Sequence, residues 1–183
     1  MKPSRGSRRP RPPLDDAQLR DLGLSYVGRF ATSRAKLRDY LRRKIRERGW
    51  SGAEQPDLEA LADRFAASGY VDDSAFALGK ARSLASRGYG KQRLMGQLRA
   101  AGIEEDHGAA ARDHADDQAV TAAVRFAERK RIGPFGRGPA DRKDQEKAIA
   151  AMVRAGHGFA LARAIGSLPP GAPIDPEALA EVR

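Results

Sequence analysis

The sequence predicts an all-α fold: three tandem three-helix repeats forming an elongated, curved body. Three observations predict it. Helical segments end at Gly49, Gly102 and Gly156, glycines 53 and 54 residues apart. Ile45, Leu98 and Met152 lie four residues before them, and Leu41, Leu94 and Ala148 eight before. That spacing puts two apolar residues on one helix face with a left-handed glycine cap behind them. Second, Asp15-Asp16, Asp72-Asp73 and Asp116-Asp117 each precede an apolar helical pattern, where an acid accepts hydrogen bonds from free N–H groups. Third, charged residues make up 32% of the chain and aromatic residues 6%, with little β-branched alternation, which favours helices over a sheet core.

The elements follow in order. Residues 1–13 carry Lys2, Arg5, Arg8, Arg9 and Arg11, four prolines and no acid. Such a segment buries no apolar surface and is expected to be a disordered basic tail, serving as a solubilising or a phosphate-touching arm. Residues 14–70 form the first expected repeat: a stripe of Leu19, Leu22 and Tyr26, then a Ser33-capped helix carrying Leu37, Leu41 and Ile45. After Gln55-Pro56, a helix from about Asp57 carries Leu58, Leu61, Ala62 and Phe65. Residues 71–115 form the second, with Phe76, Ala77, Leu84 and Ala85, then Leu94, Met95 and Leu98, then a short helix from Asp106 to Arg112. Residues 116–168 form the third. It runs from Asp117 through Val120, Val124 and Ala127, breaks at "IGPFGRGPADR", and resumes with Ile149, Met152 and Val153, then Phe159, Ala160 and Ile165. Residues 169–183 are expected as a C-terminal tail. One repeat alone buries too little surface to be stable, so neighbours must stack.

A net charge of +10 favours polyanionic partners, nucleic acid above all. The chain has no cysteine, which excludes disulfides and thiolate metal sites and suits a reducing cytoplasm. No apolar run approaches membrane-spanning length, and the basic N-terminus has no apolar stretch behind it to act as a secretory signal.

The stretch "RGYGKQRL", Arg87 to Leu94, contains a Gly-x-Gly-Lys that invites comparison with a phosphate-binding loop. Such a loop needs a strand before it and Ser or Thr after the lysine. Here a helical stripe precedes and Gln92 follows, so the segment reads as a helix–helix corner. The histidines, His107, His114 and His157, bring together no third ligand at compelling metal spacing. Trp50, Tyr70 and Tyr89 sit at helix junctions and are not interleaved with basic residues, so packing is expected of them rather than base stacking. Neither an enzyme nor a cofactor is expected.

"GYVDDSAFA" at 69–77, followed by "RGYGKQRL" and by "LRAAGI" ending at Ile103, resembles the signature of the RecX family of regulatory proteins. Ser33, Arg34, Leu37, Leu41 and Lys44 are similar to the family's Ser-Arg-x-x-Leu-x-x-x-Leu-x-x-Lys helix. The likeness covers roughly residues 15–168. It weakens in the third repeat, where the family's Arg-Gly-Phe-Ser is replaced by Ala155-Gly-His-Gly-Phe159 and the loop at 133–139 is long. The resemblance implies a bacterial, cytoplasmic, non-enzymatic protein lying in the groove of the RecA–DNA filament. It would damp strand exchange, ATP turnover and stimulated repressor cleavage, with single- and double-stranded DNA bound weakly on its own and a monomer as the acting form.

Basic residues fall in two blocks. Arg29 to Arg48 holds nine Lys/Arg against Asp39 and Glu47, and Lys80 to Arg99 holds six and no acid. The candidate filament- or nucleic-acid-binding residues are Arg34, Arg38, Arg42, Arg43, Lys44 and Arg46 in the first. Lys80, Arg82, Arg87, Lys91, Arg93 and Arg99 are those of the second. These charges suit DNA phosphate or acidic protein surface equally. Two functions of different class therefore stand: a recombinase-filament regulator, or a sequence-nonspecific nucleic-acid-binding helical repeat that needs no partner.

Overall fold

The structure is a computed structural model that describes residues 12–138 and 141–182. The cations of the expected N-terminal tail, Lys2 to Arg11, lie outside the described residues, as do Pro139 and Ala140 of the long loop. Among the described residues there are ten α-helices and no strand; one isolated parallel bridge joins Leu14 and Trp50. The chain divides into two compact units between Asp72 and Asp73.

The first unit contains α1 (Asp16–Val27), α2 (Arg34–Arg48) and α3 (Leu58–Ala67). Each begins where a short polar side chain accepts from a free N–H: Asp15 from Gln18, Ser33 from Lys36 and Asp57 from Ala60. Their apolar faces meet in one core of Leu14, Leu19, Leu37, Leu41, Leu61, Ala62, Phe65 and Val71. Leu37 and Leu41, four apart on α2, have no exposed surface. Tyr26 stacks on Tyr40 with ring centroids 4.1 Å apart.

The second unit contains α4 (Asp73–Ser86), α5 (Lys91–Ala100), α6 (Ala109–Asp117), α7 (Ala119–Lys130), α8 (Arg142–Arg154), α9 (Phe159–Gly166) and α10 (Pro176–Glu181). Two core clusters fill it. Ala77, Ala81, Leu84, Leu94, Leu98 and Ala111 form one; Ala123, Phe126, Ala127, Ile132, Met152, Leu161, Ala162, Ile165 and neighbours form the other. Half-buried Tyr89, between α4 and α5, packs against both.

Several expectations are corrected. Asp116 and Asp117 do not start a helix but close α6, which runs past the expected Arg112; α7 begins after Gln118, with no side-chain cap. Alanines make the inner face of α7, Ala122, Ala123 and Ala127 with Phe126, leaving Val120 and Val124 half-buried. Val153 and Phe159, expected inside, are 41% and 64% exposed, and Leu161 and Ala162 take the core positions on α9. The expected C-terminal tail forms α10, whose Leu179 enters the core and whose cap is Asp175.

The glycine-ended helices close as their spacing predicts: Gly49, Gly102 and Gly156 have φ of +85°, +63° and +97°. Gly156 does more. Its carbonyl accepts from Gln92 N–H at 3.1 Å, and the Ala155 carbonyl from Gly90 N–H at 3.0 Å, tying the start of α5 to the end of α8. A Cβ on Gly90 would lie 2.2 Å from the Gly156 carbonyl oxygen, so the two backbones touch only because both residues are glycine.

Candidate functional site

The two basic blocks fare differently once folded. On α2, five of the six candidates meet carboxylates. Arg34 lies 3.4 Å from Asp63, Arg38 bonds Glu59, and Arg42 lies 2.6 Å from Asp39. Arg43 and Lys44 share Glu47 at 3.6 and 2.6 Å. Lys44 and Arg43 beside Glu47 hold its carboxyl below the usual carboxylate range, the Lys44 hydrogen bond most of all. These pairs are exposed, and exposed ion pairs are weak, so a polyanion competes with them for the cations.

In the second block, Lys91 pairs with Asp116 at 2.6 Å, and the Lys80 ammonium sits 5.4 Å from the Phe76 ring. Arg87 and Arg93 behave otherwise, placing their guanidiniums 5.6 and 4.4 Å from the Tyr89 ring centroid. Among the described residues no carboxylate lies within ion-pair distance of either, nor of Arg46, Arg82 or Arg99.

A third guanidinium joins them from α7. Arg129 lies 5.5 Å from the same ring and donates to the Arg87 carbonyl. One turn earlier, Arg125 donates to the Ser86 carbonyl at 3.2 Å. Cations at the C-terminal carbonyls of a helix satisfy orphan acceptors and complement its dipole. The α4–α5 corner is thus held by arginines, and Tyr89, expected to pack at a helix junction rather than to stack a base, packs there against them. Arg125 and Arg129 escaped the sequence reading because they lie outside both blocks. Their spacing of four on a helix rich in core alanines was the available signal.

Beneath the corner, buried His157 bonds the Gly88 carbonyl through Nε2 at 3.1 Å, so its neutral form carries the proton there. Burial pushes the imidazole below its ordinary value near 6.5, and the Gly88 bond opposes this weakly. The unfolded chain therefore binds the proton more readily, and stability falls as pH drops below about 6.5. His157→Gln should remove that acid-side loss. Urea midpoints for both proteins between neutral and mildly acidic pH check it; parallel curves would place the loss elsewhere.

The corner also resolves Gly-x-Gly-Lys. Helix α4 precedes it, Gly88 turns the chain with φ of +76°, and Gly90 lies against Gly156. The space a phosphate loop would enclose is filled by the end of α8.

No family model matches the chain. It is 30% identical to the regulatory protein RecX of Myxococcus xanthus over 173 residues, 90% of this chain and 91% of that one. It is 32% identical to the regulatory protein RecX of Thermobifida fusca over 149 residues, 80% of this chain and 75% of the relative. The fold matches the crystal structure of RecX from Lactobacillus salivarius with a TM-score of 0.58, covering 81% of this chain and 92% of that one at 15% identity. A second crystal structure, of a regulatory protein RecX, gives 0.56 over 78% of this chain and 67% of its own. The likeness to the Myxococcus protein spans nine-tenths of this chain, and on it the chain belongs to the RecX family of regulatory proteins.

Proposed function

We propose that the protein binds the RecA–DNA filament and restrains it, lowering recombinase ATPase, strand exchange and co-protease activity in recombination, DNA repair and the SOS response. Membership of a family named for regulation carries this reading. The residues support it. The chain has a net charge of +10, and arginines with no carboxylate partner among the described residues gather where α4, α5 and α7 meet. Contacts with several filament subunits would join weak interactions into a tight one without a dominant pocket. The reading includes a cytoplasmic monomer that needs no cofactor and performs no catalysis. It retains three repeats, with the α2 cations and the α4–α5 corner facing the filament.

A second reading, nucleic-acid binding without a recombinase, is favoured by the same unneutralised corner. Reversing charge in both blocks tests the first. Arg43→Glu with Arg93→Glu leaves both cores untouched, since both residues are exposed. The double variant should keep its helical circular dichroism and lose most inhibition of RecA ATPase on single-stranded DNA. Full inhibition by the folded variant would remove these charges from the mechanism. A wild-type protein that leaves the ATPase unchanged at equimolar ratio would leave the second reading.

A further inference from the structure

We infer that Arg87, Arg93 and Arg129, gathered on Tyr89, form one binding site for the phosphodiester backbone of DNA. The inference rests on the filament-regulator reading and narrows it: at this corner the anion is phosphate and not an acidic protein surface.

Three like charges do not converge without a reason. The π face of Tyr89 attracts all three, with guanidinium carbons 4.4 to 5.6 Å from its centroid. Backbone carbonyls fix two of them: Arg87 Nε donates to Ser83 at 3.0 Å, and Arg129 donates to the Arg87 carbonyl. Arg129 is steadied further by the Phe126 ring at 5.4 Å. Among the described residues none of the three has a carboxylate within ion-pair distance. Asp116 of α6 pairs instead with Lys91 at 2.6 Å.

The result is a preorganised set of planar donors whose charge is unspent. Guanidinium forks match phosphate oxygens in pairs, and fixing them beforehand lowers the entropy lost on binding.

Two features favour nucleic acid over protein. The Tyr89 ring is screened by guanidiniums, so the corner offers charge rather than the bare aromatic anchor that centres a protein interface. Phosphate contacts need no base readout, and none is built here: the ring that would stack a base is already occupied by Arg93.

The test uses the full chain and a fluorescent oligothymidylate, without recombinase, titrated over a potassium chloride series. Three proteins are compared: wild type, Arg87→Ala/Arg93→Ala/Arg129→Ala, and a control, Lys143→Ala/Lys147→Ala/Arg154→Ala, that removes three cations from α8. The corner variant should show a log affinity against log salt slope shallower by about 2, at about 0.7 per lost single-strand phosphate. The control should keep the wild-type slope. Because Arg129 also caps α4, Arg93→Glu alone is measured against Lys143→Glu, and it should weaken binding markedly more. Equal slopes in wild type and corner variant, or equal losses in the two Glu variants, would overturn the assignment.

A filament arm separates this failure from that of the regulator reading. Corner variants that bind DNA normally but no longer inhibit RecA would assign the corner to acidic protein surface, overturning this inference alone. Wild-type protein with the predicted DNA slope and no effect on the filament would sink the regulator reading and leave the phosphate site standing.

Discussion

Gly156→Ala should destabilise the second unit by about 3 kcal/mol or more. Two costs add. The backbone sits at φ +97°, where a side chain is strained by ~1–3 kcal/mol. The new Cβ would also lie 2.5 Å from the Arg93 amide nitrogen and 2.9 Å from the Gly90 carbonyl oxygen. Both are backbone atoms that cannot rotate away, and overpacking of this kind costs roughly 1–3 kcal/mol. Moving them apart would loosen the hydrogen bonds from Gly90 and Gln92 to α8 and disturb the arginine corner beside them. Gly69→Ala is the comparison: its φ is +75°, but nothing lies within 4 Å of the added atom. That variant should lose only the conformational part, about 1–2 kcal/mol. Urea denaturation of both decides it. If Gly156→Ala is no worse than Gly69→Ala, the close approach of α5 and α8 is not as drawn.

Leu41→Ala and Leu98→Ala should each cost about 2–5 kcal/mol, in different units. Leu41 is fully buried among the helices of the first unit, and Leu98 is 3% exposed in the α4–α6 core. Both lie on the apolar stripe set by the glycine spacing. Leu98 is surrounded mainly by leucine and alanine, and the core around Leu41 includes Phe65. Melting curves for each variant check the expectation. Little loss of stability in either would mean that its helix face looks towards solvent.

These leucines mark what the sequence disclosed and where it went silent. Helix starts were legible because Ser33, Asp15 and Asp57 leave a chemical signature, a short acceptor before an apolar pattern. Helix ends were legible from glycine. The same signature misled at Asp116-Asp117, where the acids end one helix and a single residue separates it from the next. Apolar periodicity failed on α7 because its buried face is mostly alanine, which contributes little to a hydrophobic pattern yet lets helices approach closely. Val153 and Phe159 read as core because periodicity shows that a residue is apolar without showing that a neighbour covers it.

The site was less legible than the fold. Charge counting found both basic blocks, but charge along a helix does not reveal which acids fold against it. Glu59 and Asp63, 21 and 29 residues from their partners, draw off Arg38 and Arg34. The converse held at Tyr89: Arg129 arrives from 42 residues beyond Arg87, and only the packing of α7 on the α4–α5 corner brings it there.

Co-sedimentation distinguishes a protein that recognises recombinase and DNA together from one that recognises either alone. Purified protein is mixed with RecA alone, single-stranded DNA alone, or both with a non-hydrolysable ATP analogue, and the filament is pelleted. The protein should pellet with the assembled filament at concentrations where neither component alone retains it. Equal retention on bare DNA and on the filament would contradict it and leave a nucleic-acid binder that needs no recombinase.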